Sequence, residues 1–191
     1  VIKSLIVPAH PHPVLCPEKN DGWQRVRDAY DEASRQIEES DADLIIITGS
    51  KRNVSQWEGW MDEVSHLIQT TTTPLLGICF GHQIIAASLG GQVRRAEQNS
   101  AFVSEVTYED GRVVHALFTH QDHVTDAGEM RVIASSQHCA IAACQHPERP
   151  ILTVQYHPEA VSNVIEKALD LGEMSDEECL QFNLELPIIN M

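Results

Sequence analysis

The chain has 191 residues, with Asp+Glu 28 against Lys+Arg 13 and a formal net charge of -15. This length suits one domain around a full hydrophobic core, residues 1–191 with a core of 1–170 and a tail of 171–191, and leaves no space for a second catalytic domain. The acid excess, with no basic patch against it, excludes nucleic acid as a partner, and no apolar run approaches the roughly 18 residues of a membrane span.

The N-terminal run Leu5-Ile6-Val7 reads as a first buried strand rather than a signal peptide, which places the protein in the cytoplasm. Over 22–38, Trp23, Val26, Tyr30, Ala33 and Ile37 recur at helical spacing and predict an amphipathic crossover helix. Leu44-Ile45-Ile46-Ile47 predicts a second strand apolar on both faces, and Trp57, Trp60, Met61, Val64 and Leu67 predict a helix over 56–69. The run Pro74-Leu75-Leu76-Gly77-Ile78 is a third strand of the same kind, followed at once by a helical stretch, His82 to Leu89. Alternation of strand and helix is the mark of an α/β fold.

Beyond that helix the pattern changes. Short runs at 92–95, 102–108, 113–118, 131–135 and 140–145, broken by Asp110-Gly111 and Ala127-Gly128, predict antiparallel or mixed strands. Residues 150–155 return to the buried-strand pattern, 160–169 reads as a helix, and Ser175 caps a terminal amphipathic stretch.

Two motifs carry chemistry. The first is Gly77-Ile78-Cys79-Phe80-Gly81-His82-Gln83, a strand that turns into a helix through a cysteine flanked by glycines. Small flanking residues let the backbones approach, and a cysteine at that corner meets the helix N-terminus, whose amides favour thiolate and oxyanion. Acyl transfer is the chemistry that this arrangement serves, although an isolated motif of this kind is equally a buried core cysteine in a turn. The second is Gln155-Tyr156-His157-Pro158-Glu159 at the end of a buried strand. There His157 can take and return the thiol proton while Glu159 holds its other ring nitrogen. A second His-Pro-Glu, at His146-Pro147-Glu148, precedes a strand and is read as a solvent-exposed turn.

Both motifs, in this order, resemble those of the class I, or triad, glutamine amidotransferases. The resemblance extends over residues 1 to about 170 and implies a flavodoxin-like, three-layer α/β domain with a central, mostly parallel sheet and an added antiparallel or mixed portion. It implies hydrolysis of the glutamine side-chain amide through a γ-glutamyl thioester on Cys79, with His157 and Glu159 completing a triad and no cofactor. It further implies an oxyanion hole from the amides of Phe80 and of Ser50, the latter in the loop Thr48-Gly49-Ser50-Lys51, which departs from the Gly-Gly-Pro of many members. Gly49 and Gln83 are implied at the glutamine site. Thr119-His120-Gln121-Asp122 resembles the Ser-His-x-Asp stretch that lines the family's glutamine pocket, so Thr119, His120, Gln121 and Asp122 are expected there. Within the family the chain is most similar to the amidotransferase parts of GMP synthetases and to stand-alone relatives.

The five cysteines, Cys16, Cys79, Cys139, Cys144 and Cys179, are irregularly spaced and odd in number, which suits free thiols in a reducing compartment. Cys144-Gln145-His146 lacks structural zinc spacing, so no metal is expected. His10-Pro11-His12-Pro13 reads as a stiff loop and Gly90-Gly91 as a helix end. The expectation is therefore an enzyme that takes glutamine and passes ammonia to a separate synthetase. A γ-glutamyl peptide hydrolase is the enzymatic alternative, and a non-catalytic glutamine sensor or scaffold the alternative of another class.

Overall fold

The computed structural model describes residues 4–7 and 42–160. The predicted crossover helix over 22–38, the His10-Pro11-His12-Pro13 loop, Cys16, Cys179, and the predicted helix and tail from residue 161 onward lie outside the described residues. No helix among those described is long and apolar enough to cross a membrane.

The strands are β1 (Ser4–Val7), β2 (Leu44–Ile47), β3 (Leu75–Ile78), β4 (Gln92–Tyr108), β5 (Val113–Asp126), β6 (Arg131–Ser136), β7 (Ala143–Gln145) and β8 (Ile151–Val154). Helix α1 (Trp60–Thr70) joins β2 to β3, and α2 (Phe80–Ser88) follows β3. They form one sheet in the order β1-β2-β3-β8-β7-β6-β4-β5. Its first four strands are parallel, with Ile45 opposite Leu75 and Ile78 opposite Val154, and every later pairing is antiparallel. The parallel core and the antiparallel addition follow the change in sequence pattern near residue 90.

This order places the carboxyl ends of β3 and β8 side by side, and so joins the two motifs in space. The sheet also curls. The His157 amide, just past β8, donates to the Leu117 carbonyl of β5 at 2.9 Å, although three strands separate β8 from β5 in the sheet.

On one face, Met61, Val64 and Ile68 of α1 and Phe80, Ile84 and Ile85 of α2 pack over Ile45, Ile47, Leu75 and Ile151. Trp60 stacks on Phe80 with ring centroids 5.7 Å apart. Each such side chain, taken from water, stabilises the fold by about 1.5–3 kcal/mol. The opposite face holds Ile78, Val154, Tyr156, Val106 and Phe118, so the curled β4–β5 hairpin covers the sheet where the strands end.

Several boundaries differ from expectation. Trp57 lies outside α1 and is 43% exposed, its Nε1 donating to Asp62 Oδ1 at 2.8 Å. A turn closed by Gln56 N–H on the Asn53 carbonyl at 3.1 Å diverts the chain, and Gly59 then precedes the helix. The runs at 92–95 and 102–108 merge into β4, with a register shift between Arg95 and Ser100, and the run at 113–118 continues through 119–124. The turn at 146–148 is a correction of another kind: Pro147 and Glu148 are exposed, but His146 is buried. Its Nδ1 accepts the amides of Glu148 and Arg149 at 3.1 and 3.0 Å, so the ring serves as the turn's internal acceptor. That turn aims Arg149, whose Nη2 donates to the Ile68 and Thr71 carbonyls at 2.6 and 2.9 Å and satisfies the end of α1.

Candidate active site

Cys79 stands between the last residue of β3 and the first of α2. Its amide donates to the Val154 carbonyl at 2.9 Å, which extends the β3–β8 pairing by one step, while its own carbonyl accepts the Gln83 amide at 3.2 Å and opens the helix. To turn that sharply the residue takes φ 53° and ψ -100°, a left-handed conformation shared by no other non-glycine residue among those described. Strain of this kind persists only where the surroundings fix it. Gly81 is one such constraint: a Cβ there would lie 2.1 Å from the Ile47 carbonyl oxygen, so only glycine lets the helix abut the end of β2.

The Cys79 thiol is buried, 3.7 Å from the Thr119 carbonyl of β5. His157 comes from the end of β8. Its Nδ1 lies 2.7 Å from Glu159 Oε1, and since a carboxylate only accepts, the ring donates from that nitrogen. The buried Nε2 makes no hydrogen bond within the described residues, and Cys79, which with the ring flanks Gly49, lies close enough to act on the imidazole. Burial opposes the imidazolium, but the nearby Cys79 and the hydrogen-bonded, charged Glu159 together outweigh it and lift the His157 pKa to about 10. For Glu159, burial pushes upward while the His157 hydrogen bond and charge, with its own backbone, pull it below the ordinary carboxylate range.

The loop after β2 completes the constellation. A Cβ on Gly49 would sit 3.2 Å from His157 Cε1 and 3.7 Å from Cys79 Cβ, so the loop backbone lies against both members of the pair. Ser50 Oγ accepts the Arg52 amide at 2.9 Å and tightens the turn. Phe80 opens α2, so its amide has no acceptor within the helix.

The other expected site residues divide by direction. Thr119 and Gln121 lie on the open side of β5, with Gln121 Oε1 accepting Arg95 Nη2 at 2.6 Å and its Nε2 donating to the Ala96 carbonyl at 3.1 Å. Gln83, His120 and Asp122 turn into the protein. Gln83 Nε2 donates to the Asp122 carbonyl at 2.7 Å and to Gln155 Oε1 at 3.1 Å. His120 Nδ1 is 2.8 Å from the same carbonyl, and burial, the largest effect, lowers its pKa. The Asp122 carboxylate accepts the Ser55 amide at 2.7 Å and the Ser55 hydroxyl at 2.8 Å.

Beneath the nucleophile lies His82, fully buried, with Nδ1 2.8 Å from Thr153 Oγ1. Burial drives its pKa down to about 3, against the pull of the Ile141 carbonyl, so the ring is neutral. Cys139 and Cys144 are also buried, and burial pushes both thiols up to about 12, which leaves Cys79, among the described residues, as the thiol with a base beside it. Sequence reasoning did not single out Ser55, Gln155 or His82. Gln155 and His82 stand inside the two motifs, whereas Ser55 carries no local signal.

The glutamine-hydrolysing GMP synthase subunit of Pyrococcus abyssi is 40% identical over 95 residues, 45% of this chain and 50% of that protein. Its counterpart in Methanococcus aeolicus is 37% identical over the same shares. The glutamine-hydrolysing GMP synthase of Lactobacillus acidophilus is 33% identical over 142 residues, 68% of this chain and 27% of that enzyme. The match thus spans half the length of the archaeal proteins and about a quarter of the bacterial enzyme. Among solved structures, a glutamine amidotransferase from Thermotoga maritima superposes with a TM-score of 0.66 at 14% identity, covering 96% of this chain and 90% of that one. A candidate GMP synthase subunit from Thermoplasma acidophilum superposes with a TM-score of 0.66 at 22% identity, covering 83% and 85%. The fold is the flavodoxin-like α/β fold of these proteins. The family model for class-I glutamine amidotransferases matches residues 24–169, and the chain belongs to that family.

Proposed function

We propose that the chain hydrolyses the side-chain amide of glutamine with Cys79 as nucleophile, His157 as proton carrier and Glu159 as its orienter. The observation that carries the reading is His157 bonded to Glu159 through one nitrogen while the other faces a thiol held at a positive-φ corner. His157 holds the proton taken from the thiol as sulfur attacks the amide carbon. The carbonyl electrons move onto oxygen, where the Phe80 and Ser50 amides stabilise the charge, each donor by about 3 kcal/mol. Collapse breaks the C–N bond as His157 protonates the departing nitrogen, and ammonia leaves. Water, deprotonated by the same ring, then cleaves the γ-glutamyl thioester to glutamate and free thiol.

We place the glutamine against the open side of β5 at Thr119 and Gln121 and against Gly49, since the Thr119 carbonyl and Gly49 lie beside Cys79. The curated relatives are glutamine-hydrolysing GMP synthases or single subunits of them. By that likeness the ammonia goes to a separate synthetase, and a reducing cytoplasm suits the free thiols Cys79, Cys139 and Cys144.

Labelling with a diazoketone analogue of glutamine tests the reading. Modification of Cys79, protection by glutamine and loss in Cys79→Ala are expected. Undiminished labelling in Cys79→Ala overturns the catalytic role, and efficient turnover of γ-glutamyl peptides with poor turnover of glutamine overturns the substrate.

A further inference from the structure

The loop that carries Gly49 and Ser50 has little regular structure to hold it. Between the end of β2 and the start of α1 it is fixed by the Ser50–Arg52 turn, the buried side chain of Val54 and the contact of Ser55 with Asp122. An oxyanion donor acts only when held within a few tenths of an ångström of the developing charge, so the anchoring of this loop sets how well the site works.

Asp122 occupies an unusual position for that task. Its carboxylate is 2% exposed and spends one oxygen on the Ser55 amide and the other on the Ser55 hydroxyl, at 2.7 and 2.8 Å. Two short donors to a buried carboxylate offset the loss of its hydration. Its main-chain carbonyl meanwhile accepts Gln83 Nε2, from the helix that begins at the nucleophile, at 2.7 Å. The strand on which it stands, β5, also supplies the Thr119 carbonyl beside the thiol and the Leu117 carbonyl that receives the His157 amide. One residue is therefore bonded through its side chain to the oxyanion loop and through its main chain to the nucleophile helix.

We propose that Asp122 is a positioning residue, which through Ser55 fixes the loop bearing the Gly49–Ser50 side of the reaction centre and does not contact the substrate. The inference rests on the acyl-transfer reading above. Asp122 and Ser55 act as a clamp between β5 and the loop, so that a displacement of either element loosens the hole while the thiol and its base stay in place.

The test compares Asp122→Ala, Asp122→Asn and Ser55→Ala in the full chain. Asparagine can keep both contacts, its oxygen accepting the Ser55 amide and its Nδ2 donating to Ser55 Oγ. Alanine keeps neither, and Ser55→Ala keeps only the amide contact. Steady-state kinetics on glutamine and on γ-glutamyl p-nitroanilide are expected to show kcat falling roughly 10- to 100-fold in Asp122→Ala with KM within about twofold. Asp122→Asn should lie within about threefold of the parent and Ser55→Ala between the two. Iodoacetamide alkylation of Cys79 places no charge on a carbonyl oxygen, so its rate should be unchanged in all three. An Asp122→Asn enzyme as impaired as Asp122→Ala, with a raised KM, overturns the proposal in favour of a substrate contact. Parental kcat in Asp122→Ala also overturns it, and if that variant does not fold, parental kcat in Ser55→Ala does so. A parent that cleaves the anilide but not glutamine refutes the glutamine reading alone, and the clamp is then read on the anilide.

Discussion

His157 and His146 each begin a His-Pro-Glu tripeptide, yet their Nδ1 atoms work in opposite senses. At His157 the nitrogen donates to Glu159 Oε1 at 2.7 Å, whereas at His146 it accepts the amides of Glu148 and Arg149. The second arrangement places any ring proton on Nε2, 3.7 Å from Glu129, and makes the histidine a turn-former. The first leaves Nε2 free for proton exchange with the thiol. Chemistry follows from which neighbour captures Nδ1, not from the tripeptide.

Replacing Glu159 by glutamine should therefore alter the base rather than the fold. The hydrogen bond and the negative charge that help hold the His157 pKa near 10 are both weakened, so the pKa moves down. An NMR titration of the His157 Cε1 proton should report the fall directly. Glutamine hydrolysis should drop less than in His157→Ala, where loss of general acid–base catalysis costs about 100-fold or more.

Two glycine substitutions should separate stability from activity. Gly81→Ala forces a methyl group to 2.1 Å from the Ile47 carbonyl, a contact with backbone that cannot rotate away. Denaturant midpoints should show destabilisation by several kcal/mol, or no folded protein. Gly49→Ala meets only the His157 ring at 3.2 Å and the Cys79 Cβ at 3.7 Å, so the fold should survive. The displaced imidazole should then lower kcat by about 10-fold or more, since small misplacements of a reacting group are costly.

How far the sequence revealed the molecule depended on the range of the interactions. Leu44–Ile47 and Leu75–Ile78 were legible as parallel strands because continuous aliphatic runs between helical stretches have few other uses. Cys79 and His157 were legible because each ends such a strand. The limits appear at Trp57, which fits the helical period but is diverted by a turn and held by Asp62 outside the helix. They appear again at Asp122, whose motif gave no sign that its buried carboxylate bonds to Ser55, on a loop far away in the chain. Burial direction along β5 is set by the curl of the sheet, and no local window contains that curl.

The conformation of Cys79 predicts an inverse relation between activity and stability. At φ 53° a Cβ is strained, and glycine is the residue that adopts this region without penalty. Cys79→Gly should abolish turnover yet unfold at a higher denaturant concentration than Cys79→Ala, by about 1 kcal/mol. Equal midpoints would mean that the corner stores no strain.

The acid limb of stability should belong in part to His82. In the unfolded chain its imidazole titrates near the ordinary 6.5, whereas burial holds it near 3 in the native state. Below 6.5 the unfolded chain binds a proton that the native protein refuses, so this contribution is fully present above pH 6.5 and is lost as the pH falls toward 3. At about 1.4 kcal/mol per pH unit, the loss between about pH 7 and pH 4 is on the order of 3 kcal/mol as an upper bound. His82→Gln can retain a hydrogen bond to Thr153 Oγ1 but cannot titrate. Urea unfolding should show the parent losing more stability than the variant between those two pH values, whichever is the more stable at neutral pH. Parallel losses would place the acid sensitivity elsewhere, with the buried ring of His120 the next group to replace.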